Sequence, residues 1–177
     1  MKISVINNPS VTKIKTFKKF WGSNKDYEDE NDPSINFFDK PDIAIVANNE
    51  NLIGMLYLYF REIMFDGSMV KLAGVGGVVT HKDHRHQGVA TTLLSTAHEV
   101  MEKKECDIAI LCTDIEKLGK LYTTIGFVPL GRSYYFEDKN GKESEETGGM
   151  IAPIVSTKLF NKILSSNNKL YVGKSNF

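Results

Sequence analysis

The sequence has few cysteines and no apolar segment long enough to cross a membrane. Its two cysteines, Cys106 and Cys112, are too few for a disulfide framework, and no second pair offers a zinc site. No apolar run approaches the roughly 20 residues that a membrane-spanning helix needs. Residues 1–9 also lack the long apolar core of a signal peptide. We therefore expect a soluble, cytoplasmic protein with no membrane partner.

An excess of positive charge is also missing. Lysine plus arginine and aspartate plus glutamate number 22 each, so the chain lacks the basic footprint of a nucleic-acid-binding protein. Apolar residues make up 41% and charged residues 25% of the chain, which are ordinary values for a globular protein and argue against a disordered or fibrous one. The 177 residues predict one domain, residues 1–177, with a sizeable core.

Strand patterns dominate the first half of the chain. Residues 3–6 predict a short strand, and helical spacing of apolar residues begins after Ser10, whose hydroxyl suits an N-cap. Residues 22–41 are acidic and have little periodicity, which indicates a long loop or a short irregular helix. Residues 43–47 are a short apolar run that predicts the next strand.

Two long apolar runs then flank Asp66-Gly67, a dipeptide typical of β-hairpins. They cover residues 52–65 and 69–80 and predict two paired strands. Residues 74–77 of the second run read Gly-Val-Gly-Gly. Glycine weakens strands and often marks a bulge or a close backbone approach, so an irregularity is expected there.

The second half alternates between helix and strand. Helical patterns cover residues 93–104 and 156–164, and strand patterns cover residues 107–111, 127–130, 133–136 and 149–154. Residues 113–116 have the form of a capping box for a helix that closes at Gly126. Residues 137–149 indicate a polar turn or loop. The order of elements predicts an α/β fold of the mixed-sheet α+β kind, with helices on both faces.

Residues 78–94 combine a strand end, a short polar loop and a helix start. Free backbone N–H groups and the helix dipole favour an anion at such a place. The glycines at residues 74–79 fail the dinucleotide pattern G-x-G-x-x-G, because the last position is Val79, and the P-loop sequence is absent. Residues 85–90 read Arg-His-Gln-Gly-Val-Ala, which fits the pattern R/Q-x-x-G-x-G/A.

This loop resembles the acyl-CoA-binding signature of the GNAT N-acetyltransferase superfamily. A second family feature, a helix reading L-Y-x-x-x-G-F, is matched by residues 121–127. The resemblance covers about residues 52–154, and the sequences around the loop are similar to those of aminoglycoside N-acetyltransferases and their relatives. It implies a GNAT fold, with a twisted, mostly antiparallel sheet that contains one parallel, splayed strand pair.

The resemblance also implies acetyl-CoA as co-substrate. The residues expected to bind it are Val78, Val79 and Thr80 on the strand, and Arg85, His86, Gln87, Gly88, Val89, Ala90 and Thr91 in the loop and helix start. The strand residues would pair with the pantetheine arm, and the loop amides would donate to the pyrophosphate. Gly76 and Gly77 would supply the bulge that opens the strand pair. The alternative is a plain loop-to-helix turn with a solvated basic cluster.

Tyr122 is the expected general acid, because in many relatives this phenol points toward the thioester sulfur. Its alternative role is that of a core aromatic residue. A backbone N–H of the strand end would polarise the thioester carbonyl. Residues 69–80 contain no carboxylate where relatives often carry the base, so the candidates are Glu62, His81 or a chain of water molecules.

A metal site is not expected. His81, His84 and His86 lack a supporting set of acidic or cysteine ligands, and a phosphate-facing cluster explains them better. Cys112 follows a buried strand, where cysteine usually serves in packing.

The expected activity is N-acetylation of a small cationic amine. Acidic residues lie at 26–42 and 137–146 and would concentrate a cation, although they are also compatible with ordinary solvated surface. Two alternatives stay open, a non-catalytic module that binds acyl-CoA or a nucleotide, and an acetyltransferase acting on a protein or peptide. The oligomeric state is open as well, with a homodimer among the options.

Overall fold

The computed structural model describes residues 1–25 and 40–177. The helices are α1 (Val11–Asn24), α2 (Val89–Lys103), α3 (Ile115–Thr123) and α4 (Thr157–Ser165). The strands are β1 (Lys2–Asn7), β2 (Ile43–Asn49), β3 (Asn51–Phe65), β4 (Ser68–Thr80), β5 (Ile108–Cys112), β6 (Val128–Pro129), β7 (Tyr134–Glu137), β8 (Glu143–Glu146), β9 (Gly149–Pro153) and β10 (Tyr171–Lys174). No helix within the described ranges is long and apolar enough to cross a membrane.

The main sheet has seven strands in the order β1-β2-β3-β4-β5-β9-β6. Strands β4 and β5 run parallel, and the other neighbouring strands run antiparallel. The predicted mixed sheet with one parallel pair is therefore confirmed.

A second sheet was not predicted. It has three strands in the order β10-β7-β8. Strand β8 lies inside residues 137–149, which were expected to be a turn or loop, so that expectation was wrong. Its residues, Glu143 to Glu146, are too polar to show an apolar alternation, and pairing with the neighbouring β7 makes them a strand.

Two apolar layers cover the two faces of the main sheet. Helices α2 and α3 pack on one face, here called the α2 face, where Leu93 and Leu94 are almost fully buried. Burial of one leucine side chain contributes about 1.5–3 kcal/mol, so these residues hold α2 firmly to the sheet. Helices α1 and α4 and the second sheet pack on the other face, here called the α1 face, through residues such as Phe17, Ile163 and Tyr134. Helices thus lie on both faces, as predicted.

Several local predictions are confirmed by the backbone. Asp66 and Gly67 both have positive φ, 46° and 70°, as a type I′ hairpin turn requires. Ser10 caps α1 by accepting a hydrogen bond from the Lys13 backbone N–H at 3.3 Å. The capping box predicted at residues 113–116 is not formed, because Asp114 is the N-cap of α3 and accepts from the backbone N–H of Lys117 at 3.2 Å.

The acidic segment predicted at residues 22–41 is only partly described. Residues 22–24 belong to the last turn of α1. Residues 26–39 lie outside the described residues, and with them most of the acidic side chains of this segment.

Candidate active site

Strands β4 and β5 separate after three paired residues. Leu72–Gly74 of β4 pair with Ile108–Ile110 of β5, whereas β4 continues to Thr80 and β5 to Cys112 with no further pairing between them in the described chain. The open gap between the two strand ends is here called the splay. Backbone groups of β4 beyond Gly74 face this gap, so an extended ligand has donors and acceptors to pair with.

A β-bulge lies in the same part of β4. Met55 of β3 pairs with Val79, and Tyr57 pairs with Gly76, so Gly77 and Val78 together oppose a single residue of β3. Gly77 has a φ of +60°, which glycine adopts without strain. The bulge expected at the glycines is therefore present, and it turns the backbone of β4 beside the splay.

The loop after β4 reaches α2 through two residues with left-handed backbone. His86 has a φ of +60°, and Gly88, the N-cap of α2, has a φ of +79°. No side chain of the described residues caps the helix at Gly88. The first-turn N–H groups of Val89, Ala90 and Thr91 have no partner within the helix. This geometry favours an anion in front of α2.

Arg85, which is expected near phosphate, is bound to the C-terminal end of α1 and to the end of β4. Its Nη2 donates to the carbonyl of Asn24 at 2.5 Å, and its Nε donates to the carbonyl of Thr80 at 3.5 Å. Lys82 N–H donates to Oδ1 of Asn24 at 3.2 Å. These bonds tie the loop to the C-terminal end of α1. Gln87 is also used inside the loop, because its Nε2 donates to the Asp83 carbonyl at 3.1 Å.

Thr80 presents an unsatisfied group beside the splay. Its hydroxyl is buried and has no hydrogen-bond partner among residues 1–25 and 40–177. A buried hydroxyl without a partner costs free energy. A ligand in the splay with an amide or a carbonyl would remove that cost.

Tyr122 lies on α3 with 5% of its surface exposed, in the apolar layer of the α2 face. Its ring meets that of Phe127 edge-on, with centroids 6.3 Å apart. Val78 and Leu111, from the two strands that form the splay, belong to the same layer. Tyr122 thus lies in an apolar layer to which both strands of the splay contribute side chains.

The two candidate bases are far apart. Glu62 is exposed and pairs with Lys71, six residues before Gly77 along β4, which is roughly 20 Å at the usual rise per residue. The structure therefore does not bring Glu62 to the splay.

His81 directly follows β4, and its ring lies 6.3 Å from that of Phe20 of α1. Its Nδ1 accepts a hydrogen bond from the backbone N–H of Asp83 at 3.3 Å. The ring of His84 lies 5.7 Å away. Among the described residues, no group of three His, Cys, Asp or Glu side chains is arranged to hold a metal ion.

A polar cluster at the end of β5 had no signal in the sequence. The thiol of Cys112 lies close to the side chains of Tyr134, Asn176 and Glu146. The Tyr134 hydroxyl donates to Oδ1 of Asn176. Burial raises the pKa of Cys112 to about 12 and also raises the pKa of Tyr134. Cys112 is thus a protonated thiol at neutral pH, which agrees with a packing role.

A row of aromatic rings crosses the α1 face beneath the bulge. Phe17, Tyr57, Tyr59 and Phe177 follow one another with centroid distances of 6.5, 6.4 and 6.1 Å. The hydroxyl of Tyr57 is buried without a partner among the described residues, and burial raises its pKa to about 12. The guanidinium of Arg61 lies 4.2 Å from the centre of the Phe177 ring.

Residues 14–129, well over half of the chain, match a family model described as "Acetyltransferase (GNAT) domain". A search of curated proteins finds no match.

Solved structures share the fold at low identity. A putative N-acetyltransferase from Lactobacillus plantarum is 16% identical with a TM-score of 0.60, over 88% of this chain and 100% of that one. Naa20 from Chaetomium thermophilum, solved with a bisubstrate analogue, is 14% identical with a TM-score of 0.59, over 98% of this chain and 97% of that one. Eis1 from Mycobacterium abscessus is 15% identical with a TM-score of 0.57, over 76% of this chain and 32% of that one. This chain thus spans about a third of the length of Eis1.

Proposed function

The chain belongs to the GNAT family of acetyltransferases, and we propose that it transfers the acetyl group of acetyl-CoA to a primary amine of a small cationic molecule. The observation that carries the proposal is the splay, which opens beyond Gly74 and Ile110 and has the Gly77 bulge on one of its strands. In front of it, α2 begins at Gly88 with its first-turn N–H groups uncapped by a side chain of the described residues.

Acetyl-CoA would be bound at two places. Val78, Val79 and Thr80 would pair with the pantetheine arm as an added strand, and the unpartnered hydroxyl of Thr80 supports this placement. The backbone N–H groups of residues 86–91 would donate to the pyrophosphate. Arg85 would act by holding the loop against α1, since its guanidinium already donates to Asn24 and Thr80.

The reaction needs a neutral amine, a polarised carbonyl and a proton for the departing sulfur. The N–H of Val78 or Val79 at the bulge would donate to the thioester carbonyl. Tyr122 would donate its phenolic proton to the sulfur as the C–S bond breaks. A base beside the splay would accept a proton from the amine, and the candidates that the sequence offers for this step are His81 on the α1 face or a water molecule.

The acidic residues support a cationic acceptor. Glu143 is already paired with Lys169 at 2.5 Å, and the exposed carboxylate of Asp138 accepts the backbone N–H groups of Asn140 and Lys142. Within residues 143–146, the carboxylate placed to attract a cation is therefore the half-buried Glu146, and long-range steering of this kind weakens as salt rises.

Two measurements test the proposal. A thermal-shift panel with acetyl-CoA, CoA, ATP and NAD is expected to raise Tm with the two CoA species and not with the others. A screen of polyamines, aminoglycosides, simple amines and peptides with free N-termini, read by released thiol, is expected to show turnover with small amines. Binding without turnover would instead indicate a non-catalytic module, and turnover with peptides alone would indicate a protein acetyltransferase.

A further inference from the structure

We propose that Glu146 is the catalytic base of the transfer and that its carboxylate binds the ammonium group of the acceptor. The inference rests on the proposed function and goes beyond it, because β4 carries no carboxylate and Glu62 lies far from the splay. Glu146 is the last residue of β8, a strand that the sequence does not predict.

The turn after Glu146 lies directly on the end of β5. Cys112 pairs with Gly149, and the backbone N–H of Thr113 donates to the carbonyl of Gly148 at 3.0 Å. A Cβ placed on Gly148 would lie 2.6 Å from the carbonyl oxygen of Thr113 and 3.4 Å from Sγ of Cys112. Cys112 is the last residue of β5, in the part of this strand that does not pair with β4, so this contact places the turn at the splay.

The carboxylate of Glu146 is held in place and half-buried. Its Oε1 accepts the backbone N–H groups of Thr147 at 2.8 Å and Gly148 at 3.1 Å. Alternate residues of a strand point to opposite sides, and accordingly Glu145 is exposed whereas Glu146 is not. Since Oε1 already accepts two bonds, Oε2 is the oxygen with free capacity for a ligand.

No cation of the described residues forms an ion pair with Glu146. Two other acidic residues do form ion pairs, Glu143 with Lys169 and Asp114 with Lys117. The neutral thiol of Cys112 and the phenol of Tyr134 lie near Glu146. A half-buried carboxylate without a cation is well suited to an ammonium group.

Glu146 and Tyr122 lie toward opposite faces of the main sheet. Cys112 and Tyr134, which neighbour Glu146, pack on the α1 face, and Tyr122 packs on the α2 face. The acceptor ammonium gives one proton to Glu146, and its nitrogen then bonds to the acetyl carbon while the C–S bond breaks. The second nitrogen proton passes to water, and the sulfur takes the proton of Tyr122. After Glu146 and Tyr122 return to their starting states, one proton has been released to solvent.

The test compares E146Q with E145Q in the full chain. Glutamine keeps an oxygen that accepts the turn N–H groups, and position 145 is the exposed neighbour on the same strand. Kinetics are measured with the best small amine from the screen and with a fluorinated analogue that is neutral at pH 7. For the basic amine, E146Q is expected to lower kcat/KM about 10²-fold or more, with KM for acetyl-CoA within about twofold. For the neutral analogue, the loss of kcat/KM in E146Q should be far smaller. E145Q should have the same kinetic constants as the wild type with both amines.

The possible outcomes distinguish a failure of the role of Glu146 from a failure of the proposed acetyltransferase function. Equal activity of E146Q and E145Q would overturn the role of Glu146 alone. A loss of the same size for both amines would also overturn it, since it would point to a structural effect. If the wild type neither acetylates any amine nor gains Tm with acetyl-CoA, the proposed function itself fails and takes this inference with it.

Discussion

The ring of Phe177 occupies the space that a side chain at position 74 would need. A Cβ built on Gly74 would lie 1.9 Å from Cδ1 of Phe177. Gly74 is the last residue of β4 that pairs with β5, so the ring covers the closed end of the splay on the α1 face. This contact joins the glycine-rich strand to a segment about one hundred residues away in the chain.

Gly74→Ala is expected to destabilise the fold, because the Phe177 ring must move to admit the methyl group. Overpacking of this kind costs about 1–3 kcal/mol, measured as the free energy of unfolding in urea. Gly22→Ala is the control, since nothing lies within 4 Å of that position; in a helix it should stabilise by about 0.5–1 kcal/mol. In a Phe177→Ala background, Gly74→Ala should cost much less, and an undiminished cost would contradict the contact.

Gly77→Ala is expected to lower turnover because it distorts the β-bulge of β4. Its φ of +60° is strained for alanine, and the new Cβ would lie 3.0 Å from Cδ2 of Tyr57. The strain costs about 1–2 kcal/mol, and displacing the bulge N–H groups should lower kcat by about 10²-fold. Gly67→Ala, at the turn of the same hairpin with a φ of +70° and open space around it, should carry similar strain but keep kcat. Equal kcat values for the two variants would argue against a role of the bulge.

Gly88→Ala is expected to weaken acetyl-CoA binding. Gly88 has a φ of +79° and nothing within 4 Å of its Cβ position, so the effect comes from backbone conformation alone. A left-handed backbone at alanine costs about 1–2 kcal/mol. If the loop changes conformation to avoid this cost, KM for acetyl-CoA should rise by roughly tenfold with kcat little changed. Gly131→Ala, with a φ of +74° and open space, is the matched control and should leave KM unaltered.

Tyr122→Phe separates the acid role from the packing role of this residue. Phenylalanine keeps the contact with Phe127 and fits the same buried space. If the phenol protonates the sulfur, turnover should fall by about 10²–10⁴-fold while acetyl-CoA still raises Tm. Tyr135→Phe on β7 is the control. If Tyr122→Phe has the same turnover as the wild type, Tyr122 is not the general acid and serves only in packing.

The partly buried thiol of Cys112 is expected to make the free energy of unfolding fall at alkaline pH. Burial raises its pKa from an ordinary 9.0 to about 12, so the folded state holds the proton more tightly than the unfolded state does. The stabilisation is complete below pH 9 and is lost as pH rises toward 12. Unfolding free energies measured over this range should fall less steeply for Cys112→Ser than for the wild type. An identical slope would contradict the shift, as would rapid alkylation of Cys112 at pH 8.

The parts of the site that the sequence predicts correctly all depend on short-range features. The bulge follows from glycines within a strand, and the left-handed start of α2 follows from Gly88. The turn at Asp66-Gly67 and the cap at Ser10 are equally local. Each is a preference of one residue and its near neighbours for a backbone conformation, so a single sequence carries the information.

Other features depend on partners far along the chain. Arg85 has a sequence suited to phosphate, yet its guanidinium bonds to Asn24, 61 residues away. Tyr134 and Asn176 are 42 residues apart and meet beside Cys112. Strand β8 exists through its pairing with β7, because its own residues are almost all glutamate.

The sequence by itself therefore determined the order of elements, the position of the strand bulge and the helix start that resembles a CoA site. Only the tertiary structure decided that β4 and β5 part after Gly74, that Phe177 covers the closed end of this gap, and that Glu146 lies at its β5 side. The physical reason is that φ preferences and caps involve a few successive residues. Which distant segments pair and pack together, in contrast, cannot be read from any one of those segments alone.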